Sequence, residues 1–272
     1  MTPEMMESGF HVHFMPSYLT IWAGTDRARY ISEVIQAFVM MMKRLAGWAL
    51  LNAVRQNGHV VLLPNVHECD LNGQTDAPYY VSGTSIGAPI IAPWGARTVN
   101  IQFSPSISCA TVDIGIKVKR KTAMDYPVFE DDERLVHEFL HAARILAGTA
   151  RSAEKIDADK NSTIYRRYET KEEFYATLVA NIYTSEKGKT VLRQSYVGYT
   201  NAMSEQEMDS DRFLNSDKAI VPLIEKFCNE RPTGLGLSIA NSPAKFNPIR
   251  AYYLKKAEAD RVLKEKATAP GR

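Results

Sequence analysis

Residues 133–148 read ERLVHEFLHAARILAG, a run of good helix formers that sets His137 and His141 four positions apart with Glu138 between them. A helix brings positions i and i+4 onto one face, so both imidazoles aim at one point about a turn apart. Leu135, Val136, Phe139, Leu140, Ile145 and Leu146 make this a helix to be buried. Histidines in an apolar helix need a polar partner or a metal, because an unpaired polar group is costly away from water. No other stretch constrains the fold as much: this helix belongs inside, and its histidine face must meet something polar. Its start is expected at the acidic run Glu130, Asp131, Asp132, Glu133, which suits the positive end of a helix dipole, and its end at Gly148.

The pattern H-E-x-x-H is the signature of zinc hydrolases. A catalytic zinc takes three protein ligands and keeps one position for water, whose pKa falls from about 15.7 to roughly 7. Glu138 sits beside the histidine face, where a carboxylate reaches that water rather than the metal, and is the expected general base. A third ligand is needed, and no third histidine follows at a suitable spacing. Glu169, Glu172, Glu173 and Glu186 are the candidates. Glu173 is preferred, because the same helical face carries Ala176, Thr177 and Ala180, small enough for close packing against the first helix, and Glu172 is next. Against it stands a structural role, since Thr170 to Glu173 is also a capping box.

The rest of the chain supplies a frame. Ile31, Val34, Ile35, Phe38, Met41, Met42, Leu45 and Ala49 recur at helical spacing and predict one long amphipathic helix over 29–56. Strands are expected at 59–64, at 98–104, where Val99, Ile101 and Phe103 alternate, and at 111–119. A polar connection over 149–169 leads to a helix opening at TKEEFYATLVANIY. A further helix is expected around 216–229, then a loop from Glu230 through Pro243, then a lysine-rich tail after 255 that continues a helix. The 272 residues read as one domain, 1–272, with flexible ends at 1–19 and 258–272.

Composition narrows the function classes. The 33 Lys and Arg against 31 Asp and Glu leave a net charge of +2, too balanced to imply a nucleic acid or a membrane partner. Cys69, Cys109 and Cys228 are an odd number without C-x-x-C spacing, so neither a disulfide framework nor a thiolate zinc cluster is expected. MTPEMMESGF has neither the basic nor the apolar region of a Sec-type signal, so export would use a specialised route from the cytosol. Several short motifs are decoys. GTSIG at 83–87 is followed by Pro89 and Pro93, which deny a nucleophile elbow its helix. HECD at 67–70 reads as a surface turn, and GLGLS at 234–238 lacks the third glycine of a dinucleotide site. His11 and His13 alternate as on a strand.

With VHEFLHA, KEEFYA and NPIRAYY in place, the chain resembles the NleD-type effector zinc metallopeptidases, a family similar in active-site plan to clostridial neurotoxin light chains. The likeness runs through most of residues 20–255, with low identity outside the motifs, and leaves 184–245 unaligned. It implies that His137, His141 and Glu173 hold one Zn2+ and that Glu138 is the general base. It also implies that the R-x-x-Y element of Arg250 and Tyr253 stabilises the oxyanion. The fold class expected is therefore α+β: zincin-like, with a small mixed sheet and an active-site helix carrying H-E-x-x-H. The function expected is a secreted endopeptidase acting in a host cytosol on a protein substrate such as a mitogen-activated kinase.

Overall fold

The computed structural model describes residues 10–14, 19–23, 27–63, 83–84, 90–91, 97–103, 130–150, 154–158, 160, 162–196 and 202–268. The elements in chain order are β1 (Phe10–Phe14), β2 (Leu19–Ala23), α1 (Arg27–Met42), α2 (Leu45–Asn57), β3 (His59–Leu63), β4 (Gly83–Thr84), β5 (Ile90–Ile91) and β6 (Arg97–Gln102). Then come α3 (Asp131–Leu146), α4 (Thr163–Tyr168), α5 (Lys171–Glu186), α6 (Ser210–Asn215), α7 (Ile220–Asn229), α8 (Leu235–Ala240) and α9 (Pro248–Thr268). The architecture is α+β: helices predominate and one small mixed sheet lies in the N-terminal half.

The sheet runs in the order β1, β2, β3, β6, β4, with β5 also pairing β6. β2, β3 and β6 are parallel, while β1, β4 and β5 pair antiparallel with their neighbours. Parallel strands require a crossover, and α1 with α2 supplies the one from β2 to β3. Val60 lies opposite Val99 and Leu62 opposite Ile101. All four are buried, together with Phe103, so the alternation in 98–104 marks the face that meets the helices.

α3 is the hub. It packs against α5, α2, α1 and β6, which leaves it little exposed surface. Every residue from Leu135 to Leu146 is buried. Its start is fixed by a capping box between Glu130 and Glu133. α5 is almost as enclosed, with Phe174 to Ser185 buried throughout. The two helices run antiparallel: Lys187 beyond the end of α5 meets Asp132 at the start of α3, while Arg144 near the end of α3 meets Glu172 at the start of α5. One apolar core extends from Val34 to Tyr252.

Several expectations are corrected. The single helix over 29–56 is two helices bent by 107° around Lys43 and Arg44. Gly47 lets α2 pass close to the end of α1, where a Cβ would fall 2.1 Å from the Met41 carbonyl oxygen. The Glu186 carboxylate accepts from the N–H groups of Leu45 and Ala46 at 2.6 and 3.1 Å, which caps the new start of α2. The loop expected after Glu230 contains α8. Tyr168 to Thr170 also turns sharply, with Glu169 at φ 59° closing α4 directly before Thr170 caps α5. The strand expected at 111–119 and the HECD motif lie outside the described residues.

Candidate metal centre

His137, His141 and Glu173 converge into a group able to hold a metal ion. The two histidines come from successive turns of α3, and Glu173 from the first turn of α5. Nε2 of His137 and Nε2 of His141 are 3.3 Å apart. Glu173 Oε2 lies 3.2 Å from the first and 3.7 Å from the second. Ligands held tetrahedrally about 2.0–2.1 Å from a zinc are themselves roughly 3.3 Å apart, so the three atoms have the spacing of three corners of such a site. Glu173 Oε2 and His137 Nδ1 are buried and lack aligned hydrogen-bond partners. Three enclosed ligand atoms that face one another at these distances fit a cation at their centre.

The electrostatics are consistent with that. Burial disfavours the His141 cation, but the Glu173 carboxylate beside it wins and raises the pKa to about 8. Burial likewise opposes ionisation of Glu173, and the two histidines outweigh it, holding the carboxyl well below the usual range. A metal ion bound here would replace protons that this pocket already attracts.

The four carboxylates proposed as third ligand separate cleanly. Glu173 joins the histidines. Glu172 is buried and turned to Arg144, which donates to it from Nε at 3.2 and 2.9 Å and from Nη2 at 2.8 Å. Glu186 caps α2, and Glu169 closes α4 in the left-handed region. Glu138 is buried on α3 within electrostatic reach of His141. A second acidic group, Glu130, Asp132 and Glu133, has its charge met by the ammonium groups of Lys187 and Lys189 at 2.5 to 3.0 Å. It is a brace between α3 and α5.

Arg250 and Tyr253, expected to face the reaction centre, are committed elsewhere. Arg250 donates from Nε to the Ala240 carbonyl at 3.0 Å and from Nη1 to the Ala244 carbonyl at 3.4 Å. Tyr253 packs on Tyr252 and shares a hydrogen bond with Cys228 of α7, and burial first, that bond second, push its phenol up to about 12. The reason is where α9 sits: it packs on α8, α6 and α7.

Among the described residues, the ring that faces His137 from another segment is that of Tyr196. Its ring stacks parallel to that of His137, centroids 5.9 Å apart and planes within 8°. The segment that carries it is held at several points. Asn181 of α5 accepts from Arg193 N at 2.9 Å and donates to Arg193 O at 2.7 Å. Tyr168 Oη donates to Gln194 O at 2.9 Å, and Tyr196 N donates to Arg167 O at 2.9 Å. Buried Arg193 lies over the Tyr196 ring at 5.6 Å. Residues 193–196 are themselves R-x-x-Y, as are 27–30, and the former lie in the stretch that the resemblance left unaligned. The pattern alone does not single out one of these copies.

No family model, curated protein or solved structure matches this chain.

Proposed function

We propose that the protein is a zinc-dependent endopeptidase with a zincin-like fold, in which His137, His141 and Glu173 are the metal ligands. The observation that carries this is a trio of enclosed ligand atoms with the mutual spacing of three corners of a tetrahedral zinc site, two of them on a helix that also presents Glu138 next to one ligand. Zinc bound there supplies Lewis acidity and a water acidic enough to act near neutral pH.

The chain's own groups then have definite tasks. Glu138 accepts the proton of the attacking water and delivers it to the nitrogen of the leaving amine, so one carboxylate serves both halves of the reaction. Tyr196 donates its phenolic proton in a hydrogen bond to the oxygen of the scissile carbonyl as charge builds there. Arg193 positions Tyr196 through its ring contact and its own bond from Nη2 to the Tyr196 carbonyl at 3.4 Å. Enclosure of the histidines by α3, α5 and the 193–196 segment keeps these interactions away from bulk water, which strengthens them.

The test has two parts. Elemental analysis of desalted protein is expected to give one zinc per chain in wild type and none in Glu173→Ala. Incubation with a proteome and mapping of new N-termini is expected to show cuts that vanish with Glu138→Gln, through a rate loss of roughly 10²–10⁴. Absence of zinc from wild type after reconstitution sinks the proposal, as do cuts that persist in Glu138→Gln. The family resemblance extends the proposal to an exported effector acting on a host signalling kinase. Purified mitogen-activated kinases that stay intact beside the zinc-loaded protein would remove that extension and leave the chemistry.

A further inference from the structure

We propose that the buried Arg144–Glu172 pair is the positioning element that holds Glu173 on the two histidines. This rests on the metal-site reading above. Glu173 is the third residue of α5, in the first turn, where its N–H is capped by Thr170 Oγ1 at 3.3 Å; that bond restrains the main chain and leaves the direction of the carboxylate open. The chain enters that turn from an unfavourable geometry, with Glu169 at positive φ, a conformation that an L residue keeps only where its surroundings impose it. A metal ligand placed in such a turn needs an outside restraint.

The restraint is on the neighbouring residue. Arg144 and His141 are three apart on α3, so they share a face, and Glu172 and Glu173 are adjacent on α5. Two contacts therefore cross between the same helices, one from His141 to Glu173 and one from Arg144 to Glu172. The second is bidentate, with both Glu172 oxygens receiving Arg144 protons and both side chains almost wholly buried. Arg144 is fixed in turn. It donates to Glu230 at 3.0 Å and lies over the rings of Tyr175 and Phe227 at 4.7 and 5.8 Å. With its guanidinium locked, Glu172 has one position, and the carboxylate after it is presented to His137 and His141. The same bonds turn Glu172 away from the histidines, which is why the ligand is Glu173.

The whole chain is measured for zinc affinity by competition with a chromogenic chelator, for the visible spectrum of its Co2+ form, and for thermal unfolding without metal. Glu172→Gln keeps the size and one acceptor but loses the charge, and the double variant Arg144→Leu with Glu172→Leu replaces the pair by apolar volume. Both are expected to weaken zinc by roughly 10–100-fold and to alter the Co2+ bands. Glu172→Gln is expected to keep a cooperative metal-free unfolding transition, and Arg144→Lys to recover part of the affinity. Zinc affinity within twofold of wild type and an unchanged Co2+ spectrum in Glu172→Gln overturn the proposal. The single variant decides the matter if the double variant does not fold. Glu173→Ala separates this from the underlying assignment: if it alone loses zinc, only the positioning role fails, whereas wild-type zinc binding in Glu173→Ala removes the site itself.

Discussion

Arg193 to Tyr196 and Arg250 to Tyr253 are the same four-residue pattern, and the fold treats them in opposite ways. The first is an irregular segment, pinned through its backbone by Asn181, Tyr168 and Arg167, so that the tyrosine ring is laid on His137, a candidate metal ligand. The second opens a long helix whose arginine closes the carbonyls at the end of α8 and whose tyrosine meets Cys228. A short pattern thus carries chemistry but no address. The address comes from the groups that grip the main chain around it.

Metal loading should divide the two elements most sharply. Zinc at about 1,000 times its Kd is expected to stabilise wild type by about 4 kcal/mol, measured as the rise in unfolding midpoint over chelator-treated protein. Tyr196→Phe should keep that gain, since Tyr196 is no ligand, and Glu173→Ala should lose most of it. A loss in Tyr196→Phe would put its hydroxyl on the metal instead of on the oxyanion.

Turnover should separate them next. Tyr196→Phe is expected to lower kcat by roughly 10²–10³ with little change in KM, as for loss of one oxyanion donor. Tyr253→Phe should stay within a few-fold of wild type. The reverse result would return the oxyanion to α9 and require a rearrangement of that helix on substrate binding.

Stability should show the other side. Arg250→Ala removes charged donors from two carbonyls near the end of α8 and is expected to cost about 1.5–3 kcal/mol in chemical denaturation, without the kcat effect of Tyr196→Phe. An unchanged midpoint would mean that those bonds do not hold α8 to α9.

The smallest effect is on pH. His141 has a pKa of about 8 in the fold against about 6.5 when unfolded, so it contributes stability that is full below pH 6.5 and is lost as pH rises through 8. Metal-free protein should lose on the order of 2 kcal/mol across that window. Zinc affinity should rise over the same window, because the proton competes with the metal. Variants at Arg250 and Tyr253 should leave both slopes unchanged, and a flat metal-free profile would mean that Glu173 does not hold a proton on His141.

Much of the centre was legible in the sequence because it is local. The i, i+4 spacing of His137 and His141, the acidic start of α3 and the cap at Thr170 all depend on residues within about a turn of one another. Glu173 was among four carboxylates and was preferred on the small residues of its face. Its neighbour Glu172 was harder to exclude, since the two share one turn and only Arg144, 28 positions earlier, tells them apart. The bend between α1 and α2 was hidden for a similar reason. The apolar period runs straight through it, while the cap that stabilises it comes from Glu186, 141 residues away.

By itself, then, the sequence determined which side chains could bind a metal and that their helix would be buried, because periodicity and motif spacing are properties of neighbouring residues. The tertiary structure alone decided which glutamate completes the group and which Arg-x-x-Tyr stands beside it. Those choices follow from contacts between segments distant in the chain, where a buried charge goes to the one partner that can satisfy it. Glu172 went to Arg144, Arg250 to the carbonyls of α8, and Glu173 and Tyr196 were left to the histidines.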